Sequence, residues 1–251
     1  LDPKTVSNFR YEFVVAFAAG RAAHPENFRP IDPAKNVDHT REWPGFAPWA
    51  IAEWTNKLRS SFAYLKAFEE MGGTPEEIAN AKADIVYTMG VLGHYVGDCA
   101  QPLHTTDKFN GWVGPNPNGY STEPGIHTRM DSGIIYQAHI TAASLQDRVT
   151  VAEPLPPSAP VNGRDPIFVA AMDYILATHE GVETVYQMEK SGLLGHGEDP
   201  ATPEARAFVE GRLLTGGQML AKLWLTAWKS APVDTFLRSQ LVKRQARAAA
   251  K

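Results

Sequence analysis

The chain has 251 residues, 43% hydrophobic and 21% charged, enough to bury a substantial core. Its formal net charge of -4, from 24 Lys and Arg against 28 Asp and Glu, provides no basic footprint for gripping duplex nucleic acid. One cysteine, Cys99, excludes an intrachain disulfide, and no apolar run reaches the roughly eighteen residues that would span a membrane.

Phe9, Phe13, Val14 and Phe17 fall at helical spacing and predict a first helix over residues 4–23. From His24-Pro25 to Trp43-Pro44 the chain is a connector rich in Pro, Asp and Asn, without a regular period. Helical spacing returns from Ala47 to Met71, where Gly72-Gly73 closes it. Thr74-Pro75-Glu76-Glu77 carries an N-cap Thr, a first-turn Pro and the Glu of a capping box, and starts a helix running to about Ala100. A polar loop over 105–124 precedes a helix expected over 125–145. The proline-rich stretch 152–166 is a surface loop. Helices follow over 166–191 and 203–230, the latter behind Thr202-Pro203-Glu204, and a basic helix completes the chain. Period-two alternation and internal repeats are lacking. The expectation is one all-α domain over residues 1–251.

The chemistry gathers at the end of the third helix, in Gly93-His-Tyr-Val-Gly-Asp-Cys-Ala-Gln-Pro-Leu-His104. His94 and Asp98 are four apart and share a helical face. Gln101-Pro102 stops the helix, and His104 follows on the turn. The next helix opens on a second pair, His127 and Asp131, at the same spacing. One such pair is ordinarily an i,i+4 hydrogen bond. Two pairs bracketing a further histidine combine imidazoles with carboxylates, a mixture that suits zinc.

Residues 93–104 resemble the signature shared by the zinc-dependent single-strand nucleases of the S-one/P-one type and the bacterial zinc-dependent phospholipases C. The resemblance implies a multi-helix bundle with three zinc ions in a cleft. His94 and Asp98 would hold one ion, with Asp98 bridging toward a second, and His104, His127 and Asp131 would hold the remaining one. Asp at position 131 and the gap between His104 and His127 resemble the nuclease branch. His39 lies at the family's distance ahead of His94 and is the expected upstream ligand, with Asp32 as its preferred carboxylate partner and Asp38 as the alternative. Family members bind their third zinc through an N-terminal Trp and a nearby His. This chain begins at Leu1 and has no His before His24, so two of the three zinc sites are expected in it. A lost N-terminal segment is the favoured explanation, and a two-zinc variant the other.

By the same resemblance the chain would be a monomeric, secreted or periplasmic enzyme without stable membrane insertion. It would hydrolyse single-stranded RNA or DNA to 5′-nucleotides through a metal-bridged hydroxide attacking phosphorus in line. Asp98 would bridge the ions, and Asp38 or Arg41 would assist beside the first. Phe109, Trp112 and Tyr120 in the long loop are candidates to stack bases, or else to pin that loop to the body. The alternatives are a phospholipase C and a non-catalytic zinc-binding domain. Cys99 reads as a buried bystander, and His24, His139, His179 and His196 match no motif.

Overall fold

A computed structural model describes residues 2–156, 160, 162–196 and 199–250, the side chain of Lys35 excepted. Leu1, Lys251 and part of the proline-rich loop lie outside the described residues. Helices α1 (Arg10–Ala23), α2 (Ala47–Glu70) and α3 (Pro75–Asp98) precede α4 (residues 126–137). Then come α5 (Pro166–His179), α6 (Val182–Lys190), α7 (Pro203–Lys229) and α8 (Thr235–Ala249). Among the described residues there is no β-strand, and the chain is all-α as its periodicity predicts.

Local chemistry accounts for the helix starts. Thr74 Oγ1 accepts the Glu77 N–H at 3.2 Å while Glu77 Oε2 accepts the Thr74 N–H at 2.8 Å, which satisfies two otherwise unpaired donors of α3. Thr202 caps α7 with a single bond, its hydroxyl accepting the Ala205 N–H at 3.3 Å. Gly72, at φ 69°, makes the left-handed turn that folds α2 against α3. At the far end, Arg244 of α8 donates to both Glu77 oxygens, at 2.7 and 3.0 Å, tying the basic helix to the start of α3.

The buried side chains form two clusters. One joins α1, α2, α3, α5 and α7 around Ile51, Leu58, Leu92, Phe168 and Leu223. The other joins the long loop, α4, α6 and the first half of α7 around Leu103, Ile134, Val185 and Tyr186. The segment after α3 crosses from one to the other, because Cys99 and Ala100 belong to the first cluster and Leu103 to the second.

Three boundaries differ from the sequence pattern. The first helix begins at Arg10, since the preceding residues turn back with the Val6 N–H donating to the Asp2 carbonyl at 2.9 Å. The helix expected over 125–145 ends near Ala138, where His139 takes a left-handed φ of 50°; a single helical turn, Ala142–Leu145, follows. The helix expected over 166–191 is two, because the chain corners at Gly181 to pass Pro102. A Cβ at Gly181 would lie 3.0 Å from the Pro102 ring.

Candidate metal centre

The C-terminal end of α3 is held from two sides. The Tyr174 hydroxyl donates to the Val96 carbonyl at 3.0 Å, one of the last-turn acceptors without a helical partner. Gly216 of α7 lies so close that a Cβ there would sit 3.0 Å from Ala100 Cβ. Gln101 then starts the tight turn Pro102–Thr105, its side-chain oxygen accepting the Leu103 N–H at 2.5 Å. Leu103 is completely buried, which faces its neighbour His104 toward the surface. His179 Nδ1, 3.0 Å from the Thr105 carbonyl, braces the other side of that turn.

Across from this turn stands α4, whose second turn, Arg129–Gly133, is a π-helix, a local widening frequent at functional sites. It brings Asp131 to His104 and His127. His104 Nε2 is 3.2 Å from Asp131 Oδ1, and His127 Nε2 is 3.0 Å from Asp131 Oδ2. The three ligand atoms all lie within 4.8 Å of one another. Tetrahedral zinc with bonds of about 2.0–2.2 Å separates neighbouring ligand atoms by roughly 3.4 Å, so the spacing fits. The side chains are 24%, 27% and 35% exposed for His104, His127 and Asp131, which leaves a solvent path for an ion.

Hydrogen bonding shows what this arrangement asks for. His127 Nδ1 lies 3.2 Å from the Phe109 carbonyl, an acceptor, so Nδ1 carries a proton. In a neutral imidazole Nε2 is then a lone pair, and it faces a carboxylate oxygen. Two acceptors at 3.0 Å need a cation or a proton between them. The His104 and His127 rings stack at 4.9 Å with 13° between their planes, so their Nε2 atoms face the same carboxylate side by side. A divalent ion would satisfy the carboxylate and accept a lone pair from each ring. Asp131 is oriented from behind by Gln101, whose Nε2–H donates to Oδ1 at 2.8 Å. Partners of this kind fix a ligand's orientation and basicity.

Comparison with protein-family models, curated proteins and solved structures finds no match.

Asp98 and His94 adjoin this group. Asp98 Oδ2 is 3.4 Å from His94 Nε2, and its Oδ1 is 3.9 Å from His104 Nδ1. The His104 ring therefore stands between two carboxylates, Asp98 on one nitrogen and Asp131 on the other. Asp32 and His39 do not join the converging group. Asp32 caps the turn Pro33–Lys35, accepting the Ala34 N–H at 3.0 Å. His39, at φ 58°, pairs with Glu42 at 2.7 Å, an interaction that raises its pKa. Asp38 accepts from the Thr40 hydroxyl and N–H at 2.9 and 3.2 Å, and these bonds lower its pKa. The Arg41 N–H donates to Asn36 Oδ1 at 3.0 Å. These four residues make turn contacts within the connector.

The stacking expectation also changes. Trp112 and Tyr120 are buried and pack with Tyr186, with centroid distances of 5.1 and 5.6 Å to its ring. Trp112 Nε1–H donates to the Pro115 carbonyl at 2.9 Å. Both rings pin the loop, and no face is left for a base. Phe109 differs: it is 49% exposed and meets the His127 ring edge-on at 5.7 Å. Burial pushes the Cys99 thiol up to about 12, so it stays protonated and inert. Gln101 was legible only as a helix stop, because its partner Asp131 is thirty residues away.

Proposed function

We propose that the protein is a zinc-dependent phosphodiesterase of the S-one/P-one nuclease type, with that family's helical bundle, cleaving single-stranded RNA or DNA to 5′-nucleotides. The observation that carries this reading is the convergence of His104, His127 and Asp131 on one point, with the donor set that zinc prefers. His104 and His127 would bind through Nε2, and Asp131 through its carboxylate. A zinc ion held there would supply water of lowered pKa and would take up charge developing on phosphoryl oxygens. Asp98, 3.9 Å from His104 Nδ1, places a second negative charge beside that ring. The Phe109 carbonyl holds His127 in the tautomer that leaves Nε2 free, and the exposed Phe109 ring offers a face for a base.

The test is zinc content together with turnover of a single-stranded oligonucleotide and of phosphatidylcholine. We expect zinc to bind and the oligonucleotide to be cleaved. His104→Ala should lose zinc and most turnover while its circular dichroism is unchanged, and His139→Ala should alter neither. Full metal and full turnover in His104→Ala would refute the assignment. Turnover of phosphatidylcholine alone would favour the phospholipase, and zinc without diesterase activity a non-catalytic domain.

A further inference from the structure

We propose that Arg212 is a phosphate-binding residue of this site, holding the oxygens of a nucleotide phosphate beside the His104–His127–Asp131 group. The substrate class rests on the phosphodiesterase reading; the placement of Arg212 does not. A cavity of about 330 Å³ is walled on one side by His104, Asp131 and Gln101, and Arg212 of α7 also lines it. That volume lies at the small end of ligand sites, about 300–1,000 Å³, and suits a single nucleotide.

Arg212 is half-buried, and among the described residues no carboxylate comes within ion-pair distance of it. The acidic residue two positions earlier, Glu210, is already held by Arg148 and by Arg206, the latter at 2.8 Å. A guanidinium partly withdrawn from water without an anion is unfavourable, and its planar fork matches phosphate oxygens two at a time. Asp98 is a second carboxylate on the cavity wall, which makes Arg212 the cationic side chain among the described lining residues; Met130, Ile135, Val209 and Leu213 add an apolar surface for a sugar or base. Among the described residues no Phe, Tyr or Trp lines the cavity, and an aromatic cage is what holds a quaternary ammonium. A nucleotide phosphate fits this chemistry better than phosphocholine does.

The experiment is titration of thymidine 5′-phosphate and of phosphocholine into the intact protein, followed by 31P NMR. Wild type, Arg212→Gln and Arg212→Lys are each compared after metal chelation and after zinc loading, and zinc content is measured on the same samples. Arg212→Gln should weaken thymidine 5′-phosphate about tenfold in both metal states, the effect of losing one charge-assisted contact. Arg212→Lys, which keeps the charge but not the fork, should lie between, and it carries the comparison if the Gln variant fails to fold. Equal affinity in all three proteins would overturn the proposal, and tighter binding of phosphocholine would overturn the nucleotide assignment. Dependence on Arg212 in a protein that takes up no zinc would leave this inference standing while removing the zinc reading. Zinc uptake with phosphate binding indifferent to Arg212 would do the reverse.

Discussion

Tyr186→Phe tests whether the loop over 105–124 positions the candidate metal centre. The Tyr186 ring is completely buried, and burial raises its pKa, so the hydroxyl stays a donor. It donates to the Lys108 carbonyl at 2.7 Å and accepts the Gly111 N–H at 3.1 Å. Those two residues flank Phe109, whose carbonyl holds His127. Removing one oxygen leaves a buried donor and a buried acceptor unpaired, at about 1–3 kcal/mol each. Partial relaxation of the loop brings the expected loss to about 3 kcal/mol, which in a chain of this size lowers Tm by roughly 6–12 °C. The freed loop should also loosen the Phe109 carbonyl, weakening zinc about tenfold, the lower end of what losing a ligand's hydrogen-bonded partner does. Calorimetry and competition with a zinc chelator measure the two effects. A Tm within about 1 °C of wild type would refute the buried hydrogen-bond reasoning. A large drop in Tm with unchanged zinc affinity would show that the loop does not position His127.

Leu103→Ala opens a cavity at a fully buried position beside His104; it should cost about 2–5 kcal/mol in denaturant unfolding and weaken zinc binding as well. A loss below about 1 kcal/mol would mean that the second cluster does not seat the turn. The contact between α8 and α3 predicts a pH effect. The Arg244 guanidinium and the Thr74 N–H lower the Glu77 carboxyl from 4.5 to about 2. A depressed carboxylate stabilises the fold above its ordinary pKa, and that contribution is lost as pH falls toward the folded value. The Tm gap between wild type and Arg244→Met should therefore be constant near neutrality and shrink between about pH 4.5 and pH 2. A gap that stays constant through that range would remove the ion pair as its cause.

The sequence by itself determined the helical class and most helix starts, because those signals are local. Thr74 and Thr202 announce their helices through bonds to residues three positions away. Four-residue spacing paired His127 with Asp131 on one helical face, and the resemblance carried by residues 93–104 is what added His104 to them. Contacts between distant segments were decided only by tertiary structure. The corner at Gly181 exists because Pro102 packs there, and no periodicity in residues 166–191 contains that neighbour. Trp112, Tyr120 and Phe109 look alike in a polar loop, yet Tyr186 draws two of them inside and leaves the third at His127. Asp32 and His39 have the right chemistry for ligands, but the connector's own turns engage them first. Gln101 and Arg212 carry no local sign of a role, because each acquires one only when α4 and α7 are brought against the turn that follows α3.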